Sequence, residues 1–217
     1  MNARHNILSR LRQAQVPPRP IPLLPESPAE PLGEADFAQL TALLTAAHAE
    51  VLAATPETWQ AVLASACRKH NVRHLMLPSI QDMPALTSLS AWPDGPDLCV
   101  FDQAMETLKD TLFSVDAGLT LADGGLTETG MLALRSSAEQ PRSLSLVPPI
   151  HICLLETDQC VRNLPEALSH ATWARDLPSN LVFISGPSKT ADIQQTLAYG
   201  AHGPKVLVVI LISGRLV

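Results

Sequence analysis

Aromatic side chains supply only 4% of these 217 residues, so a folded core has to be assembled from Ala, Leu, Val and Ile. Hydrophobic residues reach 46%, which is ample for a chain of this size. Cysteine is scarce and scattered. Cys67, Cys99, Cys153 and Cys160 contain no C-x-x-C pair, and their spacing supports neither a zinc site nor an iron–sulfur cluster in this chain. They read as buried, reduced thiols. No run of Lys or Arg exists, and a formal charge of −6 argues against a nucleic-acid partner. The longest apolar run, Val206–Ile212, is far too short to span a bilayer, and residues 1–16 carry charges where a signal peptide is apolar. No membrane association is expected, and the cytoplasm is the expected compartment. G-x-G-x-x-G and G-x-x-x-x-G-K-[ST] are both absent, which leaves no standard dinucleotide or P-loop fingerprint.

Proline is the exception to this sparseness. Seven prolines lie within residues 17–31 and predict an extended, semi-rigid linker. Before it, Ile7, Leu8 and Leu11 at helical spacing predict a short amphipathic helix over residues 2–15, with Arg4, Arg10 and Arg12 mostly off its apolar face. Residues 1–35 are therefore expected to be an N-terminal helical arm and linker, and residues 36–217 one α/β domain. In that domain Phe37, Leu40, Leu43, Leu44 and Ala47 predict one helix, and Pro56 followed by Trp59, Val62, Leu63 and Ala66 a second. Short apolar stretches predict strands at 74–77, 98–101, 119–122, 131–134, 150–155, 181–184 and 206–212. A helix carrying Val161, Leu164 and Leu168 and another over about 189–199 complete a doubly wound, mainly parallel arrangement. Val206–Ile212, apolar throughout, predicts a strand covered on both faces.

Four groups of residues carry chemistry. Ser185, Gly186, Ser188, Lys189 and Thr190 fall where the strand at 181–184 hands over to the expected helix, so free N–H groups, hydroxyls and an ammonium would meet there. That suits a small carboxylate or phosphate. The same residues also fit simple capping, with Asp192 complementing the helix dipole. Asp123-Gly124-Gly125 predicts a turn leading to Glu128, Thr129 and Gly130, where Glu128 either projects into a cleft as base or nucleophile or braces the turn. His202, boxed between Gly200 and Gly203-Pro204, and His151 after Pro148-Pro149 are either proton-transfer groups or structural hydrogen-bonders. Arg135 and Arg142 flank a loop from which either could reach a carboxylate. His70 and His74 straddle an expected helix end, so no metal pair is predicted.

Taken in order, Gly118 to Gly130, Ser143 to His151, and Ile184 to Ile193 with Gly200 to Pro204 resemble the motifs of the LutC/YkgG family, whose members carry a LUD (lactate utilisation) domain. The resemblance covers roughly residues 36–217, and more weakly Ala3 to Leu8. It implies the NagB/RpiA/CoA transferase-like fold, a doubly wound sheet with extra antiparallel strands. It also implies a component of an L-lactate utilisation system that supports oxidation of L-lactate to pyruvate with iron–sulfur partner proteins. Any clusters would then reside in those partners, with no cofactor in this chain. Under this resemblance Glu128 and His202 are the catalytic candidates, and Ser185, Gly186, Ser188, Lys189, Thr190, Thr129 and Gly130 the ligand-binding ones. The fold admits two other readings. One is a stand-alone enzyme of the sugar-phosphate isomerase, CoA transferase or formyltetrahydrofolate cyclo-ligase type, and the other a metabolite-binding scaffold.

Overall fold

The computed structural model describes residues 3–14, 31–79, 84–92, 95–169, 178, 180–191, 197–200 and 202–216. The proline-rich linker and the tip of the 189–199 segment, both singled out by the sequence, lie largely outside them. Helix α1, Ala3–Gln13, buries none of its residues. Helix α2, Glu34–Ala46, begins where the Gly33 N–H donates to the Asp36 carboxylate at 2.8 Å, and it buries Leu40 and Leu44. Strand β1, Glu50–Ala54, then leads into α3, Trp59–Lys69, β2, His74–Leu77, and, after a 3-10 segment, β3, Asp97–Val100. Helix α4, Met105–Ser114, precedes β4, Ala117–Leu121. Strands β5, Gly124–Leu126, and β6, Met131–Arg135, form a hairpin, and the short helix α5, Ser143–Leu146, feeds β7, Ile150–Glu156. Helix α6, Leu164–Ser169, and strands β8, Leu181–Ile184, β9, Lys189–Ala191, β10, Leu197–Tyr199, and β11, Val206–Ile212, complete the order.

Among the described residues, six strands form a parallel sheet in the order β1-β11-β7-β4-β2-β3. Period-two alternation places Val208 and Ile210 of β11 in one core, with Leu63 of α3, Leu119 and Ile152. Leu207 and Val209 enter a second core on the other face, with Leu40, Leu44, Leu132 and Leu155. Both faces of β11 are therefore covered, as its unbroken apolar sequence predicts. A separate three-stranded antiparallel sheet, β5-β6-β8, packs over α2 through Leu132 and Leu134. The fold is the doubly wound α/β arrangement with added antiparallel strands.

Two local expectations are corrected. The helix expected over 189–199 is instead a pair of antiparallel strands, with Leu197 opposite Ala191 and Tyr199 opposite Lys189, and the Gly200 N–H donates to the Ser188 carbonyl at 2.9 Å to close its base. Thr190 and Tyr199 have strand-forming side chains, and cross-strand pairing outweighs the weak helical spacing of Ile193, Leu197 and Ala198. Because β8 belongs to the antiparallel sheet, the span from β8 to β11 is not a β-α-β unit. Gly124 and Gly125 are buried strand residues of β5 rather than a turn, and the positive φ of this region falls on Gly130, at 65°. Gly125 is small for a packing reason, since a Cβ there would lie 2.9 Å from Leu155 Cδ2 and 3.0 Å from Cys160 Sγ.

Candidate functional site

Parallel sheets leave a crevice outside the carboxyl ends of their strands. In this chain β4 and β7 end side by side, and past Leu121 and Leu154 lies a cleft of about 390 Å³. Leu121, Ala122 and Leu154 line it beneath polar groups from three segments: Asp123 and Arg135, then Ser136, Ser137 and Gln140, and Glu156 with Gln159. The volume lies within the range typical of small-molecule sites.

Each polar wall is held from behind. Asp123 accepts from Arg135 twice, from Nε at 2.8 Å and from the backbone N–H at 2.7 Å, which ties the exit of β4 to the end of β6. The planar guanidinium is thereby oriented at the rim of the cleft. Gln140, 5% exposed, takes over where β2 stops pairing with β4. Its carboxamide accepts from the Leu121 N–H at 2.8 Å and donates to the Leu121 carbonyl at 2.9 Å, as a neighbouring strand would. The Gln140 N–H in turn donates to Ser137 Oγ at 3.0 Å. Glu156, the last residue of β7, accepts from the Leu216 N–H at 2.6 Å and from Gln159 Nε2 at 2.9 Å. The segment around Leu216 is so fixed as another wall.

The residues that the sequence singles out lie elsewhere. The Ser188 N–H donates to the Pro204 carbonyl at 2.8 Å and the Lys205 N–H to the Pro149 carbonyl at 2.7 Å, which puts Ser188 and its neighbours where β7 and β11 begin. The cleft is at the other ends of these strands. Gly130 and Gly186 meet the last turn of α2, at Leu43 and at the Ala47 carbonyl, brought there by the pairing of β6 with β8. Thr129-Gly130 and Ser185-Gly186 are therefore neighbours, and Gly203, next to His202, lies against Ser188. Glu128 and Thr129 are exposed on the β5–β6 turn, where the Glu128 carboxylate accepts from Asn163 Nδ2 at 3.3 Å. Ser185, Lys189 and His202 are exposed as well. With β9 in place of a helix, no helix N-terminus is present at Ser188 to attract an anion. Arg135 is the residue common to the sequence reading and the cleft. The sequence does not mark Asp123, Gln140 or Glu156 as site residues; the signal for Asp123 and Glu156 is their position at or just past the end of a parallel strand.

The LUD domain family model matches residues 37–212, which spans the three described sheets and all three sequence motifs. The chain belongs to the LUD domain family. It is 34% identical to an uncharacterized protein of Neisseria meningitidis serogroup B over 98% of this chain and 94% of that protein. It is 32% identical to lactate utilization protein C of Deinococcus radiodurans over 66% of this chain and 64% of that protein. To lactate utilization protein C of Shouchella clausii it is 37% identical over 46% of this chain, spanning about 45% of that relative's length. Among solved structures, a DUF162 family protein from Deinococcus radiodurans matches with a TM-score of 0.60 at 25% identity, covering 84% of this chain and 99% of that one.

Inside this LUD domain, His151 is a structural group. It is 1% exposed, its Nε2 lies 2.7 Å from Thr120 Oγ1, and burial pushes its pKa down to about 3. The imidazole is neutral at any physiological pH and has no route to a ligand. Burial pushes the thiols of Cys153 and Cys160 up to about 12, so both are unreactive packing groups. Among the described residues, no three His, Cys, Asp or Glu side chains are grouped to hold a metal ion, and no helix is long and apolar enough to cross a membrane.

Proposed function

We propose that this chain is a component of a lactate-utilisation system and that its cleft holds the carboxylate of L-lactate or pyruvate. The observation that carries this reading is the 32% identity to lactate utilization protein C of Deinococcus radiodurans over 66% of the chain. Oxidation of lactate to pyruvate releases a pair of electrons and a pair of protons. In this reading iron–sulfur partner proteins take the electrons, and the chain binds and orients the acid without a cofactor of its own. Arg135 is the cation at the rim of the cleft, and its fixing by Asp123 lets it meet a carboxylate without further loss of freedom. The Ser136 and Ser137 hydroxyls can donate to a ketone or hydroxyl oxygen, and Glu156 can accept from a hydroxyl.

The opposite edge then serves the partners. Glu128, Thr129, Gly130, Ser185, Gly186, Ser188, Lys189 and His202 combine exposed charge with closely packed glycines, as a docking surface requires. We place the system in the cytoplasm, in keeping with four unpaired thiols.

Lactate-dependent reduction of a redox dye tests the assignment. The purified chain alone is expected to give none, and a mixture with its iron–sulfur partners a steady rate. Arg135→Gln should cut that rate about tenfold or more through the lost charge-assisted contacts. Glu128→Gln should raise only the partner concentration needed for half-maximal rate. Turnover by the chain alone that disappears in Glu128→Gln would instead make it a stand-alone enzyme.

A further inference from the structure

A three-carbon acid fills only a small part of the cleft. Beside it is a second compartment of about 510 Å³, lined by Ser136, Ser137, Ala138, Pro141, Arg142 and Asn180. Both compartments are lined by Ser136 and Ser137, where they adjoin.

Their charges differ. In the inner cleft the Arg135 guanidinium faces the Asp123 carboxylate, and Glu156 adds a second negative group. Among the described residues that line the outer compartment, none is acidic. The nearest acid in sequence, Glu139, is turned to the Ser137 hydroxyl, which with its own backbone N–H holds its carboxyl below the usual range. Among the described residues Arg142 has no ion-pair partner. Its backbone is nonetheless anchored, because the Ser145 hydroxyl donates to the Arg142 carbonyl at 2.9 Å and the Ser145 N–H does so at 3.2 Å. The loop before it is also pinned, with the Ser79 N–H donating to the Glu139 carbonyl at 3.0 Å and Gln140 fastened to Leu121. An exposed cation on a braced loop, lining a compartment where the nearby Glu139 carboxylate is already taken up by the Ser137 hydroxyl, is arranged to receive an anion with little reorganisation.

We propose that the two compartments form one extended site for a ligand longer than a three-carbon acid, whose anionic end, a phosphate or a carboxylate, is held by Arg142 while its other end enters the Asp123–Arg135–Gln140 cleft. The inference rests on the reading of the cleft as the ligand site. The gradient from acceptor-rich interior to cationic exterior fixes the direction in which such a ligand lies. Lactate or pyruvate would then be one segment's worth of the full occupant, carried as part of a larger anionic molecule or bound beside one.

Calorimetric titration of the full chain with inorganic pyrophosphate, succinate, L-lactate and pyruvate tests it. Pyrophosphate or succinate is expected to bind, with affinity lowered about tenfold or more in Arg142→Ala, partly restored in Arg142→Lys, and weakened by salt. Whichever of the two binds identifies the anionic end as phosphate or carboxylate. Arg142→Ala should leave the thermal midpoint and any L-lactate affinity unchanged, since the side chain is exposed. Failure of both probes to bind, or binding indifferent to Arg142, overturns the extended site even where L-lactate binds. Arg142-dependent probe binding without any L-lactate or pyruvate binding upholds the extended site and removes lactate from the cleft.

Discussion

Gly118→Ala is expected to lower stability by about 3 kcal/mol, a fall of roughly 6 to 12 °C in the thermal midpoint for a domain of this size. A Cβ at Gly118 would be driven into the Leu144 carbonyl oxygen, with Pro148 Cγ only 3.1 Å away. The obstacle is backbone, so no rotamer change relieves it. Either β4 leaves its register with β7, in which Gly118 faces His151, or α5 lifts off the sheet. Both movements disturb the loop that carries Ser136, Ser137 and Gln140, so the damage reaches the cleft. Gly33→Ala is the control, because the nearest heavy atom to its added carbon is 4.0 Å away. Thermal denaturation of both variants gives the comparison, and equal midpoints would show that α5 does not sit on β4 as described.

The second large effect is on pH dependence. His151 titrates near 6.5 when the chain is unfolded and near 3 when it is folded, because burial removes the water that would stabilise the imidazolium. Below pH 6.5 the unfolded chain therefore binds a proton that the folded chain refuses. Stability from this site is complete above pH 6.5 and falls as the pH drops toward 3, at about 1.4 kcal/mol per unit. Between pH 6.5 and 5 the loss is about 2 kcal/mol. Glu50 and Asp116 do not obscure this window. Burial acts upward on both carboxyls, but contacts with Lys69 and His70 in one case, and N–H groups of His74 and Arg73 in the other, outweigh it and hold them below their ordinary values. Their contributions fade only below about pH 4.5. Urea unfolding at stepped pH should show the slope in the native chain and its absence in His151→Asn. A flat profile for the native chain would mean that the imidazole reaches water when folded.

Much of the fold is written locally. β8 and β11 are continuous apolar stretches whose limits need no tertiary information, β2 is apolar after His74, and Leu40 and Leu44 mark the buried stripe of α2. Elements with mixed composition were harder to see. β1 opens on Glu50 and contains two alanines, and it is a strand because β11 offers it a parallel partner from Val208 to Ile212. The 189–199 segment shows the same dependence in reverse, where spacing suggests a helix and pairing across the chain decides for strands. Glycine in a sequence suggests turns, yet Gly118 and Gly125 are glycine because other groups press against their α-carbons.

The candidate cleft is less legible for a related reason. Motif residues cluster at the edge where β7 and β11 start, and it is their chemistry that a sequence displays. The cleft is made by tertiary closure, since Gln140 acts on Leu121 across nineteen residues and Glu156 on Leu216 across sixty. A glutamine in a loop carries no sign that it will replace a missing strand. Asp123 looked like a turn residue until β6 brought Arg135 to it.

Hydrogen–deuterium exchange with and without saturating L-lactate or pyruvate tests most directly that this cleft is the ligand site. The account predicts slowed exchange at residues 121–123, 135–140 and 154–156, with residues 128–130 and 185–189 unchanged. Protection confined to 128–130 and 185–189 would contradict it and return the site to the opposite edge of the sheet.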